Sequence, residues 1–394
     1  MIMAKQVGFG IIGIGNMGSA HAQMMKNIPN VKLVAACDIK ESAFDRLPAE
    51  YRDSVICCTD IEKFWEVPGL EAVLIAVPHY FHVDLAIAAM EHGKHIIVEK
   101  PIAVHKKEAE RLLAAAEKYP DLVRSTMFNQ RTLPAHRKLK SLIDNGELGE
   151  INRVTWVITD WFRTQLYYDS GDWRATWAGE GGGVLLNQCP HQLDLMQWLF
   201  GLPEKVTAQA KIGKYHDIEV EDEVNAYMEF PNGATGIFVT STAEAPGTNR
   251  LEIAGTKGRL IYENKEIKFT RNEVPSDKFL KNVKNIFGVP KSEDVQLPEI
   301  NGITGARHFL LIQNFVNAIL NGEKLVAPLH EAVNGLELGN AMLYSGLKDK
   351  TVTLPLDSDA YAEMLSDLVA NSRYVKKKIN ETSGTAADLN ASFS

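Results

Sequence analysis

The chain has 394 residues, of which 45% are hydrophobic and 23% charged, and its formal net charge is −8 at pH 7. That length calls for two domains with separate cores, and the acidic excess argues against nucleic acid or an anionic membrane surface as the main partner. Cys37, Cys57, Cys58 and Cys189 form no C-x-x-C or zinc-ligand spacing and read as reduced core residues, with no metal site expected. The N-terminal run MIMAKQVGFGIIG is short and glycine-broken, so it reads as neither a signal peptide nor a membrane span, and a cytoplasmic protein is expected.

Val7 to Ile12 suits a buried parallel strand and Met17 to Asn27 a helix, so Gly13-Ile14-Gly15-Asn16-Met17-Gly18 forms a G-x-G-x-x-G at a strand-to-helix turn. Gly13 permits the tight turn, Gly15 lets the backbone approach a pyrophosphate, and Gly18 lets the helix pack on the strand. The free amides around Asn16 and Met17 and the positive helix end then face the phosphates. Asp38 ends the second apolar run, Val31 to Cys37, where a carboxylate accepts from both hydroxyls of an adenosine ribose. The cofactor expected is NAD; the Asp38 charge disfavours the 2′-phosphate of NADP, with Lys40 a partial compensation.

Further strands are expected at Val55 to Cys58, Ala72 to Val77, His95 to Val98 and Val123 to Phe128, alternating with helical patterns that are clearest at Phe81 to His92 and Lys106 to Lys118. This alternation predicts an α/β fold whose N-terminal domain, residues 1–128, is a doubly wound parallel sheet of the Rossmann type. After a helix at Pro134 to Asn145 and a turn at Gly146 to Gly149 the period changes to two. Val206, Ala208, Ala210 and Ile212, then Val224, Ala226, Met228 and Phe230, alternate with polar residues, as in half-buried antiparallel strands. With strands at Ile151 to Trp161, Ala234 to Ser241, Leu251 to Ala254 and Arg259 to Tyr262, residues 129–375 are expected to form an α+β domain with a large, mostly antiparallel, open-faced sheet. Arg271 to Gly302 reads as a polar excursion, Ala306 to Leu320 and His330 to Leu347 as helices, and 376–394 as a frayed polar tail.

Three groups of residues lie where chemistry is expected. Pro78 and His82 follow the fourth strand and Glu99-Lys100-Pro101 the fifth, so both segments fall on the cofactor side, where ligands bind beyond the carboxyl ends of the strands. There a crowded lysine, Lys100, can have its pKa lowered and can protonate a carbonyl oxygen, and Pro101 can take a cis bond. After Gly181-Gly182-Gly183, helical spacing puts Asn187, His191 and Asp194 on one face; Pro190 fits the first helical turn and loosens the phase of Asn187. His191 is the natural proton acceptor from an alcohol as hydride leaves. Between these groups, Trp161 to Trp177 combines aromatic rings with Arg163, Tyr168, Trp173 and Arg174, a composition suited to a polyol. Asn129 and Arg131, past the sixth strand, are expected to line the same cleft.

GIIGIGNMG with Asp38, VPHYFHVDLAIAAMEHGKHIIVEKP, FNQRTLPAHRKLKSLIDNGELGEI and GGGVLLNQCPHQLDLMQWLFG together resemble the Gfo/Idh/MocA oxidoreductases, relatives of glucose-fructose oxidoreductase and inositol dehydrogenase. The resemblance implies redox chemistry on a secondary alcohol or ketone of a sugar, glycoside or cyclitol, and a C-terminal sheet that mediates homodimers or homotetramers. It implies that Lys100 is the EKP lysine and His191 the catalytic histidine, the two catalytic residues. Inositol-dehydrogenase-like members carry aspartate four residues before that histidine; Asn187 stands there in this chain and, being an amide, cannot accept a proton. The NQ-x-x-H form looks more like the branch acting on glycosides and sugar derivatives. The resemblance leaves two alternatives open: a hydrolase that keeps NAD bound and uses transient oxidation, and a sugar-sensing protein without turnover.

Overall fold

The computed structural model describes residues 5–298 and 307–377. The continuous apolar runs form one parallel sheet from β1 (Val7–Ile12), β2 (Val31–Cys37), β3 (Ile56–Cys58), β4 (Ala72–Ile75), β5 (His95–Val98) and β6 (Arg124–Thr126), in the order β3-β2-β1-β4-β5-β6. Every residue of β1 and β4 is buried, as strands covered on both faces must be. The connections run through α1 (Asn16–Met25), α2 (Ile61–Trp65), α3 (His82–Glu91) and α4 (Lys106–Ala116). Strand order reverses between β1 and β4, and the carboxyl ends on either side of that reversal open a ligand crevice.

A short turn, Asn129–Thr132, leads through α5 (Pro134–Asp144) into the second half. There β7 (Ile151–Ile158), α6 (Gln165–Asp169), α7 (Pro190–Phe200), β8 (Lys205–Ile212), β9 (Glu221–Glu229), β10 (Thr235–Ser241), β11 (Asn249–Gly255), β12 (Gly258–Glu263), β13 (Glu266–Asn272), α8 (Ser276–Asn282), β14 (Ser292–Val295), α9 (Arg307–Asn321), α10 (Ala332–Lys348), β15 (Val352–Thr353) and α11 (Ser358–Ala370) follow. The nine-stranded sheet has the order β14-β13-β12-β11-β7-β10-β9-β8-β15; β7 and β10 pair in parallel and the other neighbours antiparallel. Alternation decides its faces. Val224, Ala226 and Met228 of β9 point into the core, while Asn225, Tyr227 and Glu229 face out. Helix α10 lies so close on β8 that a Cβ at Gly346 would stand 2.6 Å from the Ala210 nitrogen.

The two halves are tied at several points. Lys106, on α4, donates from Nζ to Glu337 Oε1 at 2.8 Å and from its backbone N–H to Asn340 Oδ1 at 2.9 Å, both acceptors on α10. Helix α9 returns to the first half, setting Phe315 edge-on to Phe9 with ring centroids 5.9 Å apart.

Three expectations meet a different structure. The polar stretch from Arg271 holds the end of β13, α8 and β14, an edge of the sheet where Phe269 and Val295 are paired and most other side chains meet solvent; residues 299–302 lie outside the described residues. Cys37, Cys58 and Cys189 are buried, but Cys57 is exposed on the short edge strand β3. Of the expected tail, 378–394 lies outside the described residues, while Lys376 Nζ donates to the Arg174 carbonyl at 2.9 Å and Lys377 pairs with Asp217 at 2.8 Å. Among the described residues no helix is long and apolar enough to cross a membrane, and no group of three His, Cys, Asp or Glu could hold a metal ion.

Candidate functional site

The nucleotide turn follows from its three glycines. Gly13 has φ +90°, which favours glycine, and a Cβ there would stand 2.4 Å from the Ala76 carbonyl oxygen. At Gly18 a Cβ would stand 1.8 Å from the Gly13 carbonyl oxygen, so only glycine lets α1 pack this closely. At Gly15 a Cβ meets nothing within 4 Å: the one open position is the one where a ligand would lie. Gly15 is the N-cap of α1 and offers no side-chain cap, leaving the first-turn amides of Asn16, Met17 and Gly18 for an anion. Asp38 is anchored to the turn, accepting from Ile14 N–H at 2.8 Å and from Lys40 N–H at 3.0 Å. Arg46 donates to Asn16 Oδ1 at 3.3 Å beside it. These residues fit a dinucleotide.

Pro78 lies in the loop after β4, and His82 opens α3. Both His82 ring nitrogens face backbone carbonyls, Nδ1 that of Pro101 at 2.7 Å and Nε2 that of Val77 at 2.8 Å, so the ring staples the two strand-end loops together and does not point a free nitrogen at a ligand. The Lys100–Pro101 bond is cis. Glu99 is buried and meets His21 Nε2 at 2.6 Å. Burial alone would raise its pKa, but the His21 bond and the charges of His21, His308 and Lys100 bring it down to about 2. Asn129, 3% exposed, packs behind this pair with Nδ2 3.0 Å from His308 Nε2. Lys100 Nζ donates to the Asn187 carbonyl at 2.9 Å, joining the end of β5 to the second half. Desolvation lowers its pKa; Glu99 and Glu180 oppose that, and Arg174 and Arg163 reinforce it.

Asn187 does not share a regular helix with His191. Val184–Gln188 is a single π-turn closed by Cys189 N–H on the Val184 carbonyl at 2.8 Å, and α7 starts afresh at Pro190. The turn hangs from a buried carboxylate, Glu221, which accepts from Gly183 N–H at 2.8 Å and Leu185 N–H at 3.1 Å. His191 lies in the first turn of α7, 8% exposed, with its ring edge-on to Phe128 at 6.0 Å.

Arg131 and Tyr168 take other places than a substrate cleft. Arg131 is 1% exposed and grips Asp194 with two bonds, Nε to Oδ2 at 2.8 Å and Nη2 to Oδ1 at 2.6 Å; a third nitrogen reaches Glu331. It braces three segments, and its fork is fully used. Tyr168 is also 1% exposed, with its hydroxyl on Thr242 Oγ1 at 2.9 Å and its ring 4.7 Å from that of His216. Its neighbour Tyr167 stands against Asn187 instead. The Arg163 and Arg174 guanidinium groups lie over the Tyr167 ring, at 5.0 and 4.6 Å from its centroid, and its oxygen accepts from Arg174 at 2.9 Å, Gln188 at 3.2 Å and Asn187 at 3.3 Å. Trp173 stacks on Arg174 at 4.6 Å and meets His79 at 5.1 Å. Sequence reasoning also passed over Glu180, a lone acid before the glycine run, whose carboxylate accepts from Asn187 Nδ2. Only its position ahead of Gly181-Gly182-Gly183 could have drawn attention to it.

Residues 7–126 match the model described as oxidoreductase family, NAD-binding Rossmann fold, and residues 136–261 match the GFO/IDH/MocA C-terminal domain. Levoglucosan dehydrogenase of Pseudarthrobacter phenanthrenivorans is 26% identical over 394 residues, covering 89% of this chain and 99% of its own. The scyllo-inositol 2-dehydrogenase (NAD(+)) of Bacillus subtilis is 26% identical, covering 86% and 94%. Among solved structures, the WlbA dehydrogenase of Chromobacterium violaceum, in complex with NADH and UDP-GlcNAcA, superposes with a TM-score of 0.76 at 25% identity over 90% of this chain and 98% of that one. A turn built for a dinucleotide, a lysine carried from its sheet to the second domain, and family matches to both halves make one conclusion: the chain belongs to the Gfo/Idh/MocA family of NAD-binding oxidoreductases.

Proposed function

We propose that the protein interconverts a secondary alcohol and a ketone on a sugar, glycoside or cyclitol, with Lys100 and His191 as its catalytic residues. One observation carries this reading. Lys100, at the end of β5 in the nucleotide-binding sheet, is bonded to the turn that delivers His191, so two proton-handling groups from different halves of the chain are tied together beside the crevice. Gly13, Gly15, Asn16, Met17 and Gly18 would hold the pyrophosphate and Asp38 the ribose. Bound NAD supplies the hydride acceptor or donor at C4 of its nicotinamide. His191 takes the hydroxyl proton in oxidation and returns it in reduction, while the Lys100 ammonium donates a hydrogen bond to the same oxygen. Desolvation around Lys100 makes it a stronger acid and strengthens that bond. Tyr167, Trp173 and Arg174 form a wall that would pack on the C–H face of a ring and donate to its hydroxyls. The relatives' names support the substrate class. The outward face of the nine-stranded sheet, crossed by the Arg153–Glu252 and Arg250–Glu263 ion pairs, would join copies into a homodimer or homotetramer, and the cytoplasm is the expected compartment.

The test is a screen of sugars, glycosides and cyclitols with NAD and separately NADP, followed at 340 nm. NAD-dependent turnover is expected, with Lys100→Met and His191→Ala each lowering kcat by about 10²-fold or more while the affinity for NAD stays near that of the wild type. Full turnover in both variants, or turnover with NADP alone, would refute the assignment.

A further inference from the structure

Glu180 is 1% exposed and stands beside the site without being absorbed by the mechanism above. Each of its oxygens has one partner: Oε2 accepts from Ala175 N–H at 2.6 Å, and Oε1 accepts from Asn187 Nδ2. Burial pushes the Glu180 pKa up, while the Arg174 charge, the Ala175 and Asn187 N–H donors and Lys100 oppose it in favour of the ionised carboxylate. The same Asn187 amide nitrogen also donates to Tyr167 Oη at 3.3 Å. A carboxylate cannot donate, and this fixes the amide's orientation, leaving Asn187 Oδ1 as an acceptor that takes no bond among the described residues. The main-chain carbonyl of Asn187 meanwhile accepts from Lys100 Nζ at 2.9 Å. A single residue therefore links the carboxylate, through its side chain, to the ammonium, through its backbone.

We propose that Glu180 is a positioning residue of this site: it locks the Asn187 amide with its oxygen free for a substrate hydroxyl, and it supplies the negative charge that offsets Lys100. The proposal rests on the reading of Lys100 given above. The acceptor it creates suits a substrate with a second hydroxyl near the reacting carbinol, as in a vicinal diol. The charges that act on Lys100 are Glu99 and Glu180 against Arg174 and Arg163, and Glu180 in turn faces Arg174 and is felt by Lys376. Removing the Glu180 charge leaves Glu99, which is already engaged with His21, as the remaining offset.

The experiment reads Lys100 without requiring turnover. Competitive acetylation across pH, quantified on the Lys100 peptide by mass spectrometry, gives the titration midpoint of that amine in the NAD-bound protein. Glu180→Gln should move the midpoint down by about one pH unit, the scale of one charge at short range in a partly desolvated site. Asn187→Asp added to Glu180→Gln returns a single carboxylate to the cluster and should bring the midpoint back. Glu180→Asp keeps the charge but shortens the reach to Asn187; its midpoint should stay near that of the wild type while kcat/KM for the best substrate falls about tenfold, the cost of one mispositioned hydrogen bond. An unmoved midpoint in Glu180→Gln, or unchanged kcat/KM in Glu180→Asp, overturns the proposal. Should the wild type turn over nothing in the sugar panel while the midpoints move as stated, the proposed reaction fails and the charge linkage stands.

Discussion

Arg131→Met separates a structural brace from a substrate contact. The Arg131–Asp194 pair is bidentate, at 2.8 and 2.6 Å, with both side chains 1% exposed. Removing the arginine leaves Asp194 buried with Gln197 Nε2, at 3.1 Å, as its remaining side-chain partner. An uncompensated buried charge of this kind costs about 3–5 kcal/mol. The Glu331 contact adds little, since that carboxylate is 36% exposed and can be hydrated instead. Spread over the unfolding entropy of a chain this long, the loss corresponds to a fall in Tm of about 4–6 °C. Arg131→Met combined with Asp194→Leu should recover most of it, because replacing both members of a buried pair with apolar side chains is close to neutral. The assay is thermal unfolding followed through the fluorescence of Trp198, whose ring lies 5.5 Å from the Arg131 guanidinium, together with KM for the best substrate. A single variant that melts like the wild type but has a raised KM would refute the reasoning and return Arg131 to the substrate.

Two further outcomes follow from the geometry. Gly15→Ala should fold normally and bind NAD about tenfold or more weakly, because its Cβ enters the open space over the turn, whereas Gly18→Ala should lose thermal stability before any binding is measured, its Cβ meeting the Gly13 carbonyl at 1.8 Å; equal melting temperatures for the two would contradict this. Burial raises the pKa of Glu221 from 4.5 to about 7, so its neutral form is the one the fold prefers: the associated stability is complete below pH 4.5 and is lost as pH rises through 7, a swing of at most about 3 kcal/mol. Glu221→Gln should flatten that part of the Tm-against-pH curve, and an identical slope in both proteins would show that Glu221 does not titrate there.

The first sheet was legible because its central strands β1 and β4 are buried on both faces and apolar throughout, and because Gly13, Gly18 and Asp38 meet steric and hydrogen-bonding demands that few other residues satisfy. In the second half, alternation identified the strands that cover the core. It failed at the end of the sheet, in β13 and the edge strand β14, where Phe269 is buried and Val295 half-buried among mostly polar and charged neighbours, and there is too little apolar signal to read. At the site, residue type indicated chemistry but not partner. Arg131 and Tyr168 have the right groups for binding a polyol, yet burial and a distant partner claim each of them; which of two adjacent tyrosines faces the arginines depends on the phase of the five-residue helix Gln165–Asp169. The π-turn was illegible for a similar reason: a helical repeat read through Pro190 assumes one continuous helix, and the closure of Cys189 on Val184 breaks the phase between Asn187 and His191.

That π-turn has an evolutionary meaning. It absorbs one residue between two fixed points, the Gly183 and Leu185 amides held by Glu221 and the start of α7 at Pro190, so the loss or gain of a single codon between them would rotate the side chain at 187 without shifting His191 or the sheet. A change of chain length at this turn, as well as of residue type, can thus alter which side chain stands beside His191.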